Sequence, residues 1–393
     1  MILDAPFPPD IRVEKEAVTL NEAGHEVFVL SQGRKSYPEE ENKDHYSVIR
    51  FEDNKYKLLN QLTRDFKSFT FFDPVWKKGI DSFVIKYDIN VLHVHDLPLV
   101  KTAYHVSKKH GIPLVADYHE NFPAHVQATA KSDLKWKEKF YSSYKRWVKY
   151  EEDISGKVDR IIVVADEYKQ HLVKEHRIPP EKITIVRNTI DLERFRSDSE
   201  DQPNNSEFII SYIGSYGPHR GLEVVIEAMP KILSYIPNAK FIIVGRGKNK
   251  NELDRMIREL NLKNSVEFYD WMGYGELINE FKKANIGVIP HQASEHTDNT
   301  IPNKLFEYMY FKVPIIVSDR PPLQRIINET NCGKVFKTRD KTDFVKKVLE
   351  IYKNPSNYGE MGYRAVMAEY NWKVDGDRLV DLYKFFDSNL SET

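Results

Sequence analysis

Two stretches of the chain put charged side chains where a phosphate-bearing ligand could be held. Pro302-Asn303-Lys304-Leu305-Phe306-Glu307-Tyr308-Met309 follows an apolar run and a polar loop, and precedes a strand expected at Val313–Ser318. Pro302 suits a helix start, and the N–H groups and dipole of a helix beginning there would favour an anion. Lys304 and Glu307 are three apart and therefore share one helix face. A cation for phosphate beside a carboxylate for ribose hydroxyls fits a nucleotide diphosphate; an ordinary surface ion pair would use the same two residues. The second stretch, Gly214-Ser215-Tyr216-Gly217-Pro218-His219-Arg220-Gly221, lies between a strand expected at Glu207–Ile213 and a helix expected from Leu222. Its glycines allow close backbone approach, and Arg220 can grip phosphate oxygens with its planar fork. The spacing matches neither a dinucleotide fingerprint nor a P-loop. A third loop, Gly245-Arg246-Gly247, closes the next strand, and open parallel sheets bind ligands at such carboxyl ends.

The elements that must position these loops alternate. β-rich runs are expected at His25–Leu30, Tyr46–Phe51, Asn90–Val94, Pro113–Asp117, Arg160–Val164 and Lys182–Val186, and again at Glu207–Ile213, Lys240–Gly245, Ser265–Tyr269, Asn285–Pro290, Val313–Ser318 and Gly333–Phe336. Longer mixed segments separate most of them, which implies α/β architecture with parallel sheets covered by helices. Asp10 can cap a helix that runs to about Ala23, with Gly24 closing it. Only Met1–Asp4 is available for an opening strand, which is short for such a fold. Ser197–Ser206 holds no apolar residue and reads as a linker between residues 1–196 and 197–374. Asp375–Phe386 places Leu379, Leu382, Phe385 and Phe386 at helical spacing.

Composition narrows the setting. The chain has 393 residues, enough for two cores, and its 58 basic and 59 acidic side chains leave a formal charge of -1. No global field recruits nucleic acid or an anionic bilayer, so any basic surface is local. Cys332 is the one cysteine, which excludes an intramolecular disulfide framework and fits a reducing, cytoplasmic compartment. Met1-Ile2-Leu3-Asp4 reaches an acid and then prolines before a signal-peptide core can form, and no apolar stretch is long enough to span a bilayer. The expectation is a protein neither secreted nor integral to a membrane.

Ten pieces in order, DIRVEKEAVTLNEAGHEVFVL, HVHDLP, DYHENFP, VDRIIVVADEY, ITIVRNTID, YIGSYGPHRGLEVVIEAM, FIIVGRG, NIGVIPH, IPNKLFEYM and YNW, cover nearly the whole chain. Together they resemble a retaining glycosyltransferase of family 4. The resemblance implies two Rossmann-like domains with parallel sheets facing across a cleft, the GT-B arrangement. It implies an acceptor-side domain at 1–196, a donor-binding domain at 197–374, and a terminal helix at 375–393 that packs back on the first. Arg220 and Lys304 would neutralise the departing diphosphate, Glu307 would accept hydrogen bonds from the ribose, and His119 would lie near the transferred sugar. Gly214, Gly245, Arg246, Asn299 and Leu305 would complete the donor site. The implied enzyme is metal-independent and needs no cofactor, its nucleotide-diphosphate sugar being a co-substrate and its acceptor a glycan or lipid-linked glycan. Polysaccharide or glycoconjugate synthesis is the expected setting, at the cytoplasmic face of a membrane.

Two positions depart from the family pattern. Asn299 stands eight positions before Glu307, where the family carries a glutamate that touches the donor sugar; Asp298, Glu295 or His296 could substitute. Ser215 stands where a second basic residue is common, and Arg246 could compensate. A nucleotide-sugar epimerase of the same architecture, or a non-catalytic sugar-nucleotide-binding subunit, would carry the same motifs. His93 and His95 would point together from one strand, with Asp96 beside them, as a metal group or as the lining of an interdomain cleft. Lys131–Lys149, rich in Lys, Arg, Trp and Tyr, reads as a membrane-surface segment or as an exposed helix with aromatic anchors. His171 and His176 read as solvated positions, and Cys332 as structural.

Overall fold

A computed structural model describes residues 1–34, 36–51, 66–129, 140–195, 206–355 and 357–390. The expected linker at Ser197–Ser206 and the Lys131–Lys139 part of the aromatic-basic segment lie almost wholly outside them. The chain divides into two compact units, Met1–Asn188 with Asp375–Thr393, and Thr189–Val374. This division falls ahead of the 196/197 boundary that composition suggested.

The first unit holds an eight-stranded sheet. Its strands are β1 (Ile2–Pro6), β2 (Phe28–Gln32), β3 (Glu40–Asn42), β4 (Ser47–Phe51), β5 (Leu92–His95), β6 (Leu114–Tyr118), β7 (Arg160–Val163) and β8 (Ile183–Ile185), in the order β3-β4-β2-β1-β5-β6-β7-β8. All neighbours are parallel except β3 and β4. β3 is a charged edge strand that no hydrophobic pattern announces. Asp10 caps the helix Ile11–Glu22, accepting from the Arg12 and Val13 amides at 3.0 and 3.2 Å. Such a cap contributes about 1 kcal/mol. The strands β5 and β6 are buried along their whole length, yet they carry His93, His95 and Asp117 among the aliphatic residues normal for a doubly covered parallel sheet. The chain order reverses between β1 and β5, making a topological switch point there.

The final helix, Trp372–Leu390, starts three residues before the expected Asp375. Leu379, Leu382, Tyr383 and Phe386 are buried, whereas Phe385 is 44 % exposed and stacks under Arg160 with 3.5 Å from guanidinium carbon to ring centroid. Tyr383, polar at its tip, replaces Phe385 on the buried face.

The second unit holds a six-stranded, fully parallel sheet: β9 (Phe208–Ile213), β10 (Ala239–Val244), β11 (Val266–Tyr269), β12 (Ile286–Ile289), β13 (Ile315–Ser318) and β14 (Gly333–Phe336), ordered β11-β10-β9-β12-β13-β14. The core gathers Ile210, Tyr212, Phe241, Val288 and Ile316 from the strands with Leu222, Val225 and Met229 from the helix Leu222–Leu233. Each fully buried aliphatic or aromatic side chain contributes about 1.5–3 kcal/mol. Here the order reverses between β9 and β12, so the loops leaving these two strands flank the ligand crevice typical of such sheets. Among the described residues no helix is long and apolar enough to cross a membrane.

Candidate functional site

The switch point of the second sheet brings together residues from the segments that follow β9, β10 and β12. β9 ends at Gly214, whose φ of +132° disfavours any side chain, and a Cβ there would stand 2.7 Å from the Lys304 ammonium. The helix carrying Lys304 runs Lys304–Tyr310, so it begins two residues later than Pro302 predicts, behind Asn303 in helical conformation. Tyr308 fixes this helix, its hydroxyl donating to the Ser211 carbonyl at 2.9 Å and its ring lying where Gly287 has no side chain. Lys304 then reaches back over the Tyr212 ring, 3.6 Å from nitrogen to centroid, a close cation–π contact.

Arg220 closes a short turn, its amide bonded to the Gly217 carbonyl at 2.8 Å. Its Nη1 donates to Nε2 of His291 at 3.0 Å, and its Nε is buried with no hydrogen-bond partner among the described residues. Neither Arg220 nor Lys304 has a carboxylate within ion-pairing distance among the described residues. Burial and the adjacent Arg220 charge push the Lys304 ammonium well below the usual lysine range; Glu307, one turn along and half-buried, pulls the other way. Two neighbouring cations against a glycine backbone, with no carboxylate ion-paired to either among the described residues, have the charge and the room to meet a di- or trianion.

The remaining donor-site candidates are placed differently. Leu305 is fully buried and its amide bonds to the Pro302 carbonyl at 3.0 Å, so its side chain packs in the core. Gly245, at φ +137°, lies against the Gly214 carbonyl and lets the two loops touch. Arg246 does not join the cation pair: it is exposed and forms a two-pronged ion pair with Asp270, Nη2 to Oδ2 at 3.0 Å. It therefore does not compensate for Ser215, which is itself exposed. Asn299 is buried and its amide donates to the Glu295 carbonyl at 2.7 Å, closing the short helix Glu295–Asp298. Asp298 pairs with Arg320 at 3.0 Å. His291 and Tyr212 are the parts that sequence reasoning missed, and only the histidine in NIGVIPH offered a signal.

The first unit has its own charged group at its switch point. Arg12, buried, clamps Asp117 with Nη2 to Oδ1 at 2.8 Å and Nε to Oδ2 at 3.2 Å, and its Nη2 lies 3.0 Å from Glu16. Asp117 Oδ2 also takes His95 Nδ1 at 3.1 Å and His119 Nε2 at 2.8 Å. Despite burial, the Arg12 and His119 charges hold Asp117 well below the usual carboxylate range. Burial opposes a charge on His119, but Asp117 and Asp96 outweigh it and raise the imidazole to about 9. Burial raises Glu16 to about 8 and keeps His93 and His95 below the usual histidine range.

His93 and His95 do point together, rings stacked at 4.6 Å, and both are buried. His93 Nδ1 meets the Tyr383 hydroxyl at 2.8 Å. The ligand atoms of Glu16, His93, His95 and Asp117 lie within 4.8 Å of one another, a compact donor set for a metal ion. Arg12 already supplies the positive charge between the two carboxylates, so a divalent ion would be repelled at close range. His176 is also buried, bonded to Glu151 at 2.8 Å, which corrects its reading as a solvated position. Cys332 is buried and its thiol is raised to about 11 by that burial, as a structural cysteine should be.

Known proteins match this chain over almost its full length. The family described as Glycosyltransferase Family 4 matches residues 12–194, and that described as Glycosyl transferases group 1 matches residues 193–370. The alpha-D-kanosaminyltransferase of Streptomyces kanamyceticus is 20 % identical over 299 residues, 72 % of each chain. The UDP-Gal:alpha-D-GlcNAc-diphosphoundecaprenol alpha-1,3-galactosyltransferase of Escherichia coli is 23 % identical over 310 residues, 74 % of this chain and 71 % of its own. Among solved structures, a sucrose-phosphate synthase from Thermosynechococcus elongatus superposes with a TM-score of 0.75 at 17 % identity, covering 98 % of this chain and 96 % of that one.

Proposed function

Because the chain belongs to the family 4, group 1 glycosyltransferases with the GT-B fold, we propose that it moves a sugar, with retention, from a nucleotide-diphosphate sugar to a glycan or lipid-linked acceptor. The observation that carries this reading is the uncompensated pair Lys304 and Arg220 against Gly214. Negative charge builds on the leaving diphosphate as the glycosidic bond breaks, and fixed cations in a water-poor site stabilise it more there than in the bound ground state. These two side chains supply that charge, so the transfer is metal-independent and cofactor-free in this reading. Glu307 accepts from the ribose hydroxyls, with Gly214 and Gly245 allowing the backbone to approach the nucleotide. His119, charged and held by Asp117 through Nε2, has Nδ1 3.7 Å from Asp96, beyond hydrogen-bond length, and in this reading turns that N–H to a sugar hydroxyl. No protein nucleophile is needed: the leaving phosphate oxygen takes the acceptor proton on the face it departs from.

We assign the acceptor side to the first unit and the reaction to the cytoplasmic face of a membrane, in polysaccharide or glycoconjugate synthesis; nucleic acid is not a partner. Supporting peripheral membrane contact, the exposed rings of Phe69 and Phe140 stack at 6.0 Å with Arg146 over Phe140. The test incubates purified protein with a panel of nucleotide sugars and follows nucleotide release with and without glycan and lipid-linked acceptors. Acceptor-dependent release that survives a chelator supports the proposal. Epimerised product without acceptor points to the epimerase, and binding without turnover to a non-catalytic subunit. Full activity in the Arg220→Ala/Lys304→Ala double variant would overturn the site assignment.

A further inference from the structure

We propose that His291 is the positioning residue of the donor site, a neutral imidazole that aims the Arg220 guanidinium without cancelling its charge. The inference rests on the donor-site reading above. β12 delivers His291 to the switch point, where it is 2 % exposed and its Nε2 stands 3.0 Å from Arg220 Nη1. A guanidinium only donates, so Nε2 accepts and the ring proton sits on Nδ1. Arg220, Lys304, His219 and His296 all face this ring with positive or potentially positive groups, and together with burial they hold it neutral.

The surrounding loops fix the distance. The Gln292 amide donates to the His219 carbonyl at 2.9 Å, and the Pro290 carbonyl fills the space that a side chain on Gly221 would need. Gly221 itself sits at φ +68°, so position 221 resists substitution twice over. The loops after β9 and β12 are thereby pinned to each other, with Arg220 and His291 at the joint.

A carboxylate at position 291 would make a stronger bond to Arg220. It would also neutralise half of the receptor. Lys304 follows the same rule, lying on the uncharged face of Tyr212. Both cations are thus oriented by groups that carry no charge, which leaves the full positive potential for the diphosphate.

The test compares wild type with His291→Gln, His291→Glu and His291→Leu, using pyrophosphate and uridine diphosphate binding, its salt dependence, and KM and kcat with an accepted donor. Gln and Glu are nearly isosteric, so a space-filling role treats them alike. The expected result is Gln within about threefold of wild type, Leu weaker by about tenfold, and Glu weaker by about a hundredfold with a shallower salt dependence. Should the Leu variant fail to fold, the Gln–Glu comparison decides. Equal affinities for Gln and Glu, while Arg220→Ala and Lys304→Ala lose binding, would overturn the positioning role alone. Wild-type pyrophosphate and uridine diphosphate affinity in Arg220→Ala and Lys304→Ala would overturn the donor-site reading beneath it.

Discussion

At the switch point of the first sheet Arg12 is clamped by Asp117 and flanked by Glu16; at the switch point of the second, Arg220 is held by an imidazole and has the Lys304 ammonium for a neighbour. The two sheets reach this arrangement by the same reversal of strand order. Their electrostatics are opposite. In the first unit a buried cation is compensated from within the chain, and the charged His119 is flanked by Asp117 and Asp96. In the second no carboxylate among the described residues pairs with Arg220 or Lys304, and in the proposed reading a bound diphosphate would supply the missing charge. The difference separates charge that builds a site from charge that serves one.

Removing the compensated cation should have the largest effect. Arg12→Leu takes the guanidinium from buried Asp117 and Glu16, leaving Asp117 only His95 and His119, and the expected cost is about 3–5 kcal/mol in denaturant unfolding. A cost under about 1 kcal/mol would mean that the two regions do not differ as described. Next come the uncompensated cations: Lys304→Ala or Arg220→Ala should lower kcat by about 10²–10³. Lys304→Met should at the same time leave the ligand-free protein as stable as wild type or more so, because it removes a buried charge to which no carboxylate is ion-paired among the described residues.

The pH dependence of stability should run in opposite directions. His119 is raised from 6.5 to about 9, so its contribution is whole below 6.5 and is lost as pH rises through 9. Glu16, raised from 4.5 to about 8 chiefly by burial, likewise loses stability for the fold as pH climbs through that window. Lys304 is depressed from 10.5, so its penalty at neutral pH shrinks as pH rises toward 10.5. Glu16→Gln should therefore flatten the loss of stability between about pH 4.5 and 8, His119→Gln should flatten it between 6.5 and 9, and Lys304→Met should make the alkaline decline steeper. The smallest effect is calorimetric: binding uridine diphosphate should be accompanied by proton uptake, because a bound anion moves the depressed Lys304 ammonium back toward its usual range. Zero uptake across buffers of different ionisation enthalpy would show that Lys304 is already charged in the empty site.

Much of this was legible in the sequence because it is local. Alternating strands and crossovers, the Asp10 cap, the glycine loop and the Lys304–Glu307 spacing are all patterns within a few residues. The missed parts are contacts across long separations. Arg12 and Asp117 are 105 residues apart and Arg220 and His291 are 71 apart, and no spacing rule joins them. His93 and His95 read as a metal group or as cleft lining because histidine seldom belongs in a doubly covered strand; their environment is a buried ion cluster that only the sheet order assembles. The compensation assigned to Arg246 failed for a reason equally out of reach, since Asp270 lies on the neighbouring strand's exit.

The tie between His93 and Tyr383, 290 residues apart, has a consequence for how the molecule is made. Thr189–Val374 is one uninterrupted stretch and can complete its core while the chain is still being synthesised. The unit that leaves the ribosome first cannot. Its strand Leu92–His95 meets Tyr383 only once nearly the whole chain has been made, so the unit that is begun first is completed last.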